Sequence, residues 1–441
     1  MADFTVKQVN TSTGGMGRDF AGTFAASLAR LVCSGITGIL IARMLGPQTR
    51  GEFALILLWS QACGLLAMLG TNEAVSYYAT AEPANASRHL RTGLRLCARL
   101  LLVAVPLGML AVRFLLRSTG ETARTLAVML IPFYLPLAVL YALTQGFLQG
   151  QRRFRALNSL LVTNDATYCV LAVVAFLSRH AAPPLLLAVL AFAAGSFATA
   201  AVALHILLRS GQMEASPHPD SAVNSDVVGR YGRSVAPANW VTLLSSRMDE
   251  MVCSQVLSVH DLGIYSVAKT TIVGVNAVPI AFSTVMLPRV VAAHRAGTLR
   301  PLMKKSALFT GCCLLAVLVP SLLAMPYLLP LVFGKQFADG ILTARLLLTA
   351  AAFAGMTEVA ITTLKGTNQL RLALSCRAGA VATLFVGLVV LVGPMGLAGV
   401  GSACIIAGVV GAAGTWAVVV HTTGRRRPVS EFATAAEVLS A

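Results

Sequence analysis

Apolar stretches of membrane-spanning length recur along the whole chain, separated by short polar connections. About 20 consecutive apolar residues carry an α-helix across the hydrocarbon core of a bilayer, so the pattern predicts spans rather than buried core helices. Twelve are expected, at 20–44, 52–79, 93–116, 124–148, 158–178, 183–208, 234–257, 262–287, 304–333, 341–364, 372–393 and 395–420. No connection is long enough for a soluble domain. The longest, 209–233, holds Ser-Gly, two prolines and mixed charge, and it parts the chain into two halves of six. The expected order is a polar N-terminus (1–19), a six-helix bundle (20–208), a linker (209–233), a second six-helix bundle (234–420) and a tail (421–441).

Polar positions inside the spans carry the functional signal. Val235–Val256 reads VAPANWVTLLSSRMDEMVCSQV, with Arg247, Asp249 and Glu250 in its second half. A charge near the centre of a spanning helix costs roughly 2.5–3.5 kcal/mol on insertion scales, so such groups face protein or water. Arg247 and Glu250, three apart, lie on neighbouring faces and can pair. Asp249 points away and needs another partner. In span 1, Asp19, Thr23, Ser27, Arg30, Ser34 and Thr37 fall within about 80° of one another on a helical wheel, while the other faces are apolar. This stripe reads as a cavity wall, and no deep acid in span 1 neutralises Arg30, which is expected to be unpaired. Gln145 and Gln149 form an i, i+4 pair in span 4, and Lys269 lies in span 8. The candidate ligand contacts are Arg30, Arg247, Lys269, Ser27, Ser34 and Gln145. The carboxylates Asp249, Glu250, Glu73, Asp165 and Glu358 are candidates for Na+ or H+ coupling.

Composition agrees. The chain is 56% hydrophobic and only 12% charged, about half the charged share of a soluble domain. Its net charge of +17 would suggest a nucleic-acid partner in a soluble protein. Here 23 of the 34 basic residues lie at the ends and in the even-numbered connections, against eight in the odd-numbered ones. The positive-inside rule then places both termini in the cytoplasm. Contact with anionic lipid is the ordinary reading of the arginine-rich connections, among them Arg152, Arg153 and Arg155. The N-terminus shows no cleavable signal, and the nine cysteines show no C-x-x-C spacing, so neither a disulfide set nor a metal site is expected. Gly263-Ile-Tyr-Ser-Val-Ala-Lys269-Thr270 approaches a phosphate-binding loop, but Ala268 replaces its second glycine and no strand precedes it. No cofactor is expected.

The halves echo one another at an offset of 212 residues. Leu45-x5-Gly51-x-Phe53 falls on Leu257-x5-Gly263-x-Tyr265, and Leu31 and Ser34 fall on Leu243 and Ser246. Two six-span halves that both start inside imply a parallel repeat about an axis along the membrane normal, the design of transporters that bind at the repeat interface.

Several stretches together resemble the oligosaccharide flippases of polysaccharide biosynthesis, within the multidrug/oligosaccharidyl-lipid/polysaccharide exporter superfamily. They are Ile39–Arg43 with Met44-Leu-Gly46-Pro-x-x-x-Gly51-x-Phe53, Gly150-Gln-x-Arg153-Phe154-Arg155, and Ser246-Arg247-x-Asp249 followed by Leu262-Gly-x-Tyr265-Ser-Val-Ala268. Phe333-Gly334-Lys-Gln-Phe337 and Gly393-Pro-Met-Gly396-Leu-Ala-Gly399 complete the set. The resemblance implies an all-α integral membrane protein of two six-helix bundles forming a V around a cationic cavity. It implies transfer of undecaprenyl-diphosphate-linked sugars from the inner to the outer leaflet of the bacterial cytoplasmic membrane by alternating access. Arg30 and Arg247 would meet the diphosphate, with glycosyltransferases and a polymerase as partners. With twelve expected spans the chain departs from the fourteen-helix lipid II flippases. The rival expectations are a drug or organic-cation exporter of the same superfamily, which calls for a carboxylate-dominated cavity, and a membrane-embedded polymerase or ligase, which calls for a larger outer loop than any here.

Overall fold

The computed structural model describes residues 13–209, 225–296 and 298–424, and these are almost wholly helical, with no strand among them. The helices are α1 (Thr13–Met68), α2 (Thr71–Ala81), α3 (Ala86–Leu115), α4 (Glu121–Gly150), α5 (Phe154–Leu177) and α6 (Pro184–Arg209), then α7 (Ser225–Val256), α8 (Val259–Thr270), α9 (Val273–Arg295), α10 (Leu299–Phe333), α11 (Ile341–Gly366) and α12 (Leu370–Gly424). Among the described residues, eight helical stretches are long and apolar enough to cross a membrane.

Two of the eight are double. Ala25–Met68 spans 44 residues and Leu370–Thr422 spans 53, each about twice the length one crossing needs at ~1.5 Å per residue. Each is broken near its middle by a glycine at positive φ, Gly46 (φ 71) before Pro47 and Gly396 (φ 55) just after Pro394. Only glycine takes these angles without strain, and the proline on each side cannot continue the hydrogen-bond ladder. The first break falls between the expected first and second spans, and the second falls at the start of the expected twelfth. α7 contains nearly all of the seventh expected span but starts nine residues earlier, and α8 with α9 covers the eighth, parted at Thr271–Ile272. The second expected span is likewise interrupted, at Leu69-Gly70, where both residues have positive φ. The expected linker lies mostly in 210–224, outside the described residues. Its last part, 225–233, is helical and opens α7.

The chain falls into two compact units. The first comprises residues up to Leu243 together with Ser258–Val267 and Val332–Phe337; the second comprises Leu244–Leu257, Ala268–Leu331 and the chain from Ala338. The beginning of α7 therefore belongs with the first unit, where Tyr231 stacks on Tyr77 of α2 at 4.7 Å between ring centroids. Val75, Leu90, Leu143, Phe147, Leu160 and Leu207 from α2 to α6 build one core of that unit. In the second unit Met286, Val290, Met303, Ile361, Leu364 and Val419 join α9, α10, α11 and α12. Large apolar side chains also point outward, among them Leu102 (78% exposed), Phe133 (71%) and Leu331 (70%). An apolar exterior on this scale suits a lipid solvent and would aggregate in water.

The first unit also gathers three of the sequence motifs. Gly51 and Gly263 meet backbone to backbone: a Cβ at either would stand 1.8 Å from a carbonyl oxygen, that of Val259 or of Pro47. The aromatic partners two residues on, Phe53 and Tyr265, are wholly buried. Arg43 Nε donates to the Val332 carbonyl at 2.7 Å, at the C-terminal end of α10 where a helix favours a cation. Phe337 is wholly buried beside it in sequence. The motifs are packing devices at this end of the unit.

Candidate functional site

The polar stripe of span 1 sits on the first limb of α1. Ser27 and Ser34 are exposed, Arg30 is half-buried, and Thr37 is buried with its hydroxyl donating to the Cys33 carbonyl at 2.8 Å. The side chains of Asp19 and Thr23 lie outside the described residues.

Arg30 is not unpaired. Its Nε donates to Oδ2 of Asp165 on α5 at 2.7 Å. The compensating acid comes from another helix, 135 residues on, so inspection of span 1 alone could not find it. The other carboxylate oxygen accepts from Asn164 Nδ2 at 2.9 Å, and Thr199 on α6 donates to Asn164 Oδ1 at 3.2 Å. Both oxygens of Asp165 are thereby held, and through them the guanidinium. A guanidinium presents five N–H donors. The Asp165 contact engages Nε, which leaves the Nη1/Nη2 edge for a second anion, and the side chain remains 38% exposed. Gln145 on α4 donates to the Tyr141 hydroxyl at 3.1 Å, and Tyr141 lies within electrostatic reach of both Arg30 and Asp165. Three residues singled out separately in the sequence thus share one polar network inside the first unit. Asn164, Thr199 and Tyr141 were missed; the signal was the Asn-Asp pair in an otherwise apolar span.

Removing the Asp165 charge tests this network. Breaking a fully buried pair costs about 3–5 kcal/mol, but Arg30 is more than a third exposed, which cuts the expectation for Asp165→Asn to about 1–2 kcal/mol. Thermal melts of the purified full chain should show most of that loss recovered when Arg30→Gln is added. Strictly additive losses would mean that the two charges do not support each other.

The second unit holds a denser cluster. Arg247 Nη1 donates to Glu250 Oε2 at 2.9 Å, the pairing that the three-residue spacing predicts. Asp249 finds its partner on α8: Lys269 Nζ donates to its two oxygens at 2.8 and 2.6 Å, lies 3.0 Å from Glu250 Oε1, and reaches the Ser246 carbonyl at 3.3 Å. Two cations and two anions balance. Lys269, expected as a ligand contact, is instead enclosed by the two acids expected to couple ions. Arg247 keeps a side chain 41% exposed.

The remaining acids lie apart from these networks. Glu73 is exposed in the first turn of α2, where the helix dipole favours a negative charge. Glu358 on α11 is bonded by Arg377 of α12. Neither joins the Arg30 or the Lys269 cluster.

Residues 18–294, more than half of the chain, match the family described as polysaccharide biosynthesis protein. The chain belongs to this family. No curated protein matches the sequence. Among solved structures this polysaccharide biosynthesis protein is similar to an inward-facing multidrug resistance MATE family transporter of the MOP superfamily, with a TM-score of 0.69 at 14% identity over 90% of this chain and 94% of that one. It is similar to the lipid II flippase MurJ in its inward closed conformation, with a TM-score of 0.70 at 14% identity over 90% of this chain and 87% of that one. A MOP superfamily transporter from Pyrococcus furiosus, whose binding pocket is described as reversed in polarity, gives 0.61 at 16% identity over 92% and 94% of the two chains. At such identities the likeness establishes the fold alone: a multi-pass membrane protein with the fold of MOP-superfamily transporters.

Proposed function

We propose that the protein is a flippase carrying an undecaprenyl-diphosphate-linked oligosaccharide from the inner to the outer leaflet of a bacterial cytoplasmic membrane by alternating access, both termini being cytoplasmic. It would serve exopolysaccharide, capsule or O-antigen synthesis, between glycosyltransferases that supply the substrate and a polymerase that consumes it. The observation that carries this reading is Arg30: a guanidinium in the middle of an apolar helix, held by Asp165 at Nε and with no bond at its Nη edge among the described residues. That edge suits two phosphate oxygens at once, which a lysine cannot match. Arg247 offers a second, partly exposed guanidinium, and Ser27, Ser34 and Gln145 offer hydroxyl and amide groups to sugars. Lys269 takes the lesser part of holding Asp249 and Glu250. An ion gradient, or removal of product on the far side, would supply the energy.

Leaflet-resolved export in cells tests the reading. Arg30→Ala and Arg247→Ala are each expected to abolish export while the protein still reaches the membrane folded, and Arg30→Lys should restore only a minor part. Unimpaired export in both alanine variants would remove the site. The side-by-side carboxylates Asp249 and Glu250 favour a second reading, export of organic cations, although a cationic drug would have to displace the Lys269 ammonium from them. Uptake of a cationic dye by proteoliposomes containing the protein would support that reading. Polymer made by the purified protein alone would support an enzyme.

A further inference from the structure

One helical turn beyond Arg30, α1 meets α5 a second time. The Cys33 thiol shares a hydrogen bond with the Cys169 thiol and lies within electrostatic reach of Asp165. The register of the two helices is fixed independently by the bond from Arg30 Nε to Asp165 Oδ2 at 2.7 Å. Cys33 follows Arg30 by three residues and Cys169 follows Asp165 by four, so each cysteine sits one turn past its charged neighbour on the same face. Both pairs advance in the same direction along the chain, which makes α1 and α5 parallel at this seam. Neither cysteine is sealed in: both are partly exposed, and Ser34, the residue after Cys33, is exposed on the polar stripe. Spacing along the chain could not show the pair, because its members come from different spans.

Other cysteines differ. Cys253 comes within electrostatic reach of Cys404, but it is wholly buried. Cys312 and Cys313 are consecutive in α10, and consecutive side chains on a helix do not face each other. A disulfide needs two side chains aimed at one another, and oxidation favours an accessible thiol with a second thiol beside it. Cys33 and Cys169 meet both conditions.

We propose that Cys33 and Cys169 form an oxidisable dithiol, which hydrogen peroxide closes to a disulfide tying α1 to α5 beside Arg30. One sulfur attacks a peroxide oxygen: the O–O bond breaks, an S–O bond forms, and the thiol proton leaves in a molecule of water. The second sulfur displaces hydroxide from that sulfenic acid, and the hydroxide takes the second thiol proton and leaves as water. Two thiols and one hydrogen peroxide thus give one disulfide and two waters; the sulfurs are oxidised and the peroxide oxygens reduced. The tie fixes the distance between α1 and α5 one turn from the guanidinium, so Arg30 stays on Asp165 and cannot follow a ligand. That effect on export rests on the function proposed above; formation of the bond does not.

The test exposes the purified full-length protein, fully reduced, to rising hydrogen peroxide, blocks the remaining thiols with N-ethylmaleimide and digests the product without reductant. Mass spectrometry should find the peptides of Cys33 and Cys169 joined ahead of any other cysteine pair, and dithiothreitol should part them. Cys33→Ser and Cys169→Ser should each abolish the joined pair and leave the remaining thiol as a sulfenic acid that dimedone traps. Two results in the wild type, where no variant has to fold, would overturn the proposal. One is recovery of both thiols as maleimide adducts at peroxide levels that oxidise the exposed Cys312; the other is their joining to cysteines other than each other. In cells, a pulse of peroxide should lower leaflet-resolved export severalfold in the wild type, reversibly, and leave Cys169→Ser unaffected. An equal loss in Cys169→Ser, or undiminished export with the pair joined, would overturn the restraint on Arg30. A reduced protein that exports nothing would sink the transport reading instead, while the joined peptides still report the dithiol.

Discussion

Lys269→Met is expected to destabilise the protein by about 3–5 kcal/mol, the cost of removing one partner from a buried ion cluster. The Lys269 ammonium bonds both oxygens of Asp249 and lies 3.0 Å from Glu250, and the three side chains are only 19%, 12% and 18% exposed. Methionine fills much the same volume, so the loss is electrostatic rather than a cavity. It would take the ammonium away from two neighbouring carboxylates and leave Arg247 on Glu250. Adding Asp249→Asn removes the uncompensated charge and should recover most of the stability, a coupling read from a double-mutant cycle of melts on the full chain. A single variant that melts with the wild type would show that the cluster contributes nothing to folding. The lysine would then be free to serve as a ligand contact.

The same cluster shows where sequence reasoning reaches and where it stops. Arg247 and Glu250 are three residues apart on one helix, so their pairing follows from helical geometry alone. The same geometry showed that Asp249 needed a partner, but not which one, because Lys269 reaches it through the packing of α7 against α8. Arg30 and Asp165 are the harder case. Each stands out in its own span, yet only the neighbouring placement of α1 and α5 makes them a pair. A balance of charge over the first six spans, where one deep cation faces one deep anion, would have suggested it. The Gly46-Pro47 break was legible because two residues with fixed backbone demands stand together. The interruption at Leu69-Gly70 was not, since Leu69 takes a left-handed angle (φ 43) that its side chain disfavours.

Gly51→Ala and Gly263→Ala are each expected to cost about 3 kcal/mol or more, at the upper end of overpacking penalties. The obstacle is backbone on both sides: a Cβ on Gly51 would stand 1.8 Å from Val259 O and 3.1 Å from Gly263 N, and one on Gly263 would stand 1.8 Å from Pro47 O and 2.9 Å from Gly51 N. No rotamer change relieves such a contact, so the segments must part, and contact restored near 3.5 Å means a shift of roughly 1.7 Å. That shift would open the packing around Phe53 and Tyr265, both wholly buried. Because one separation makes room for both methyl groups, Gly51→Ala with Gly263→Ala should cost little more than either alone, far below the sum. Gly35→Ala is the control: nothing lies within 4 Å of its added Cβ, and alanine is the better helix former. These two glycines are also the residues that the 212-residue offset superimposes. Equivalent positions of the two sequence halves therefore touch each other there. Full additivity of the two losses, or a wild-type melt in either single variant, would place the close contact elsewhere and leave the repeated Leu-x5-Gly-x-aromatic pattern without this physical reason.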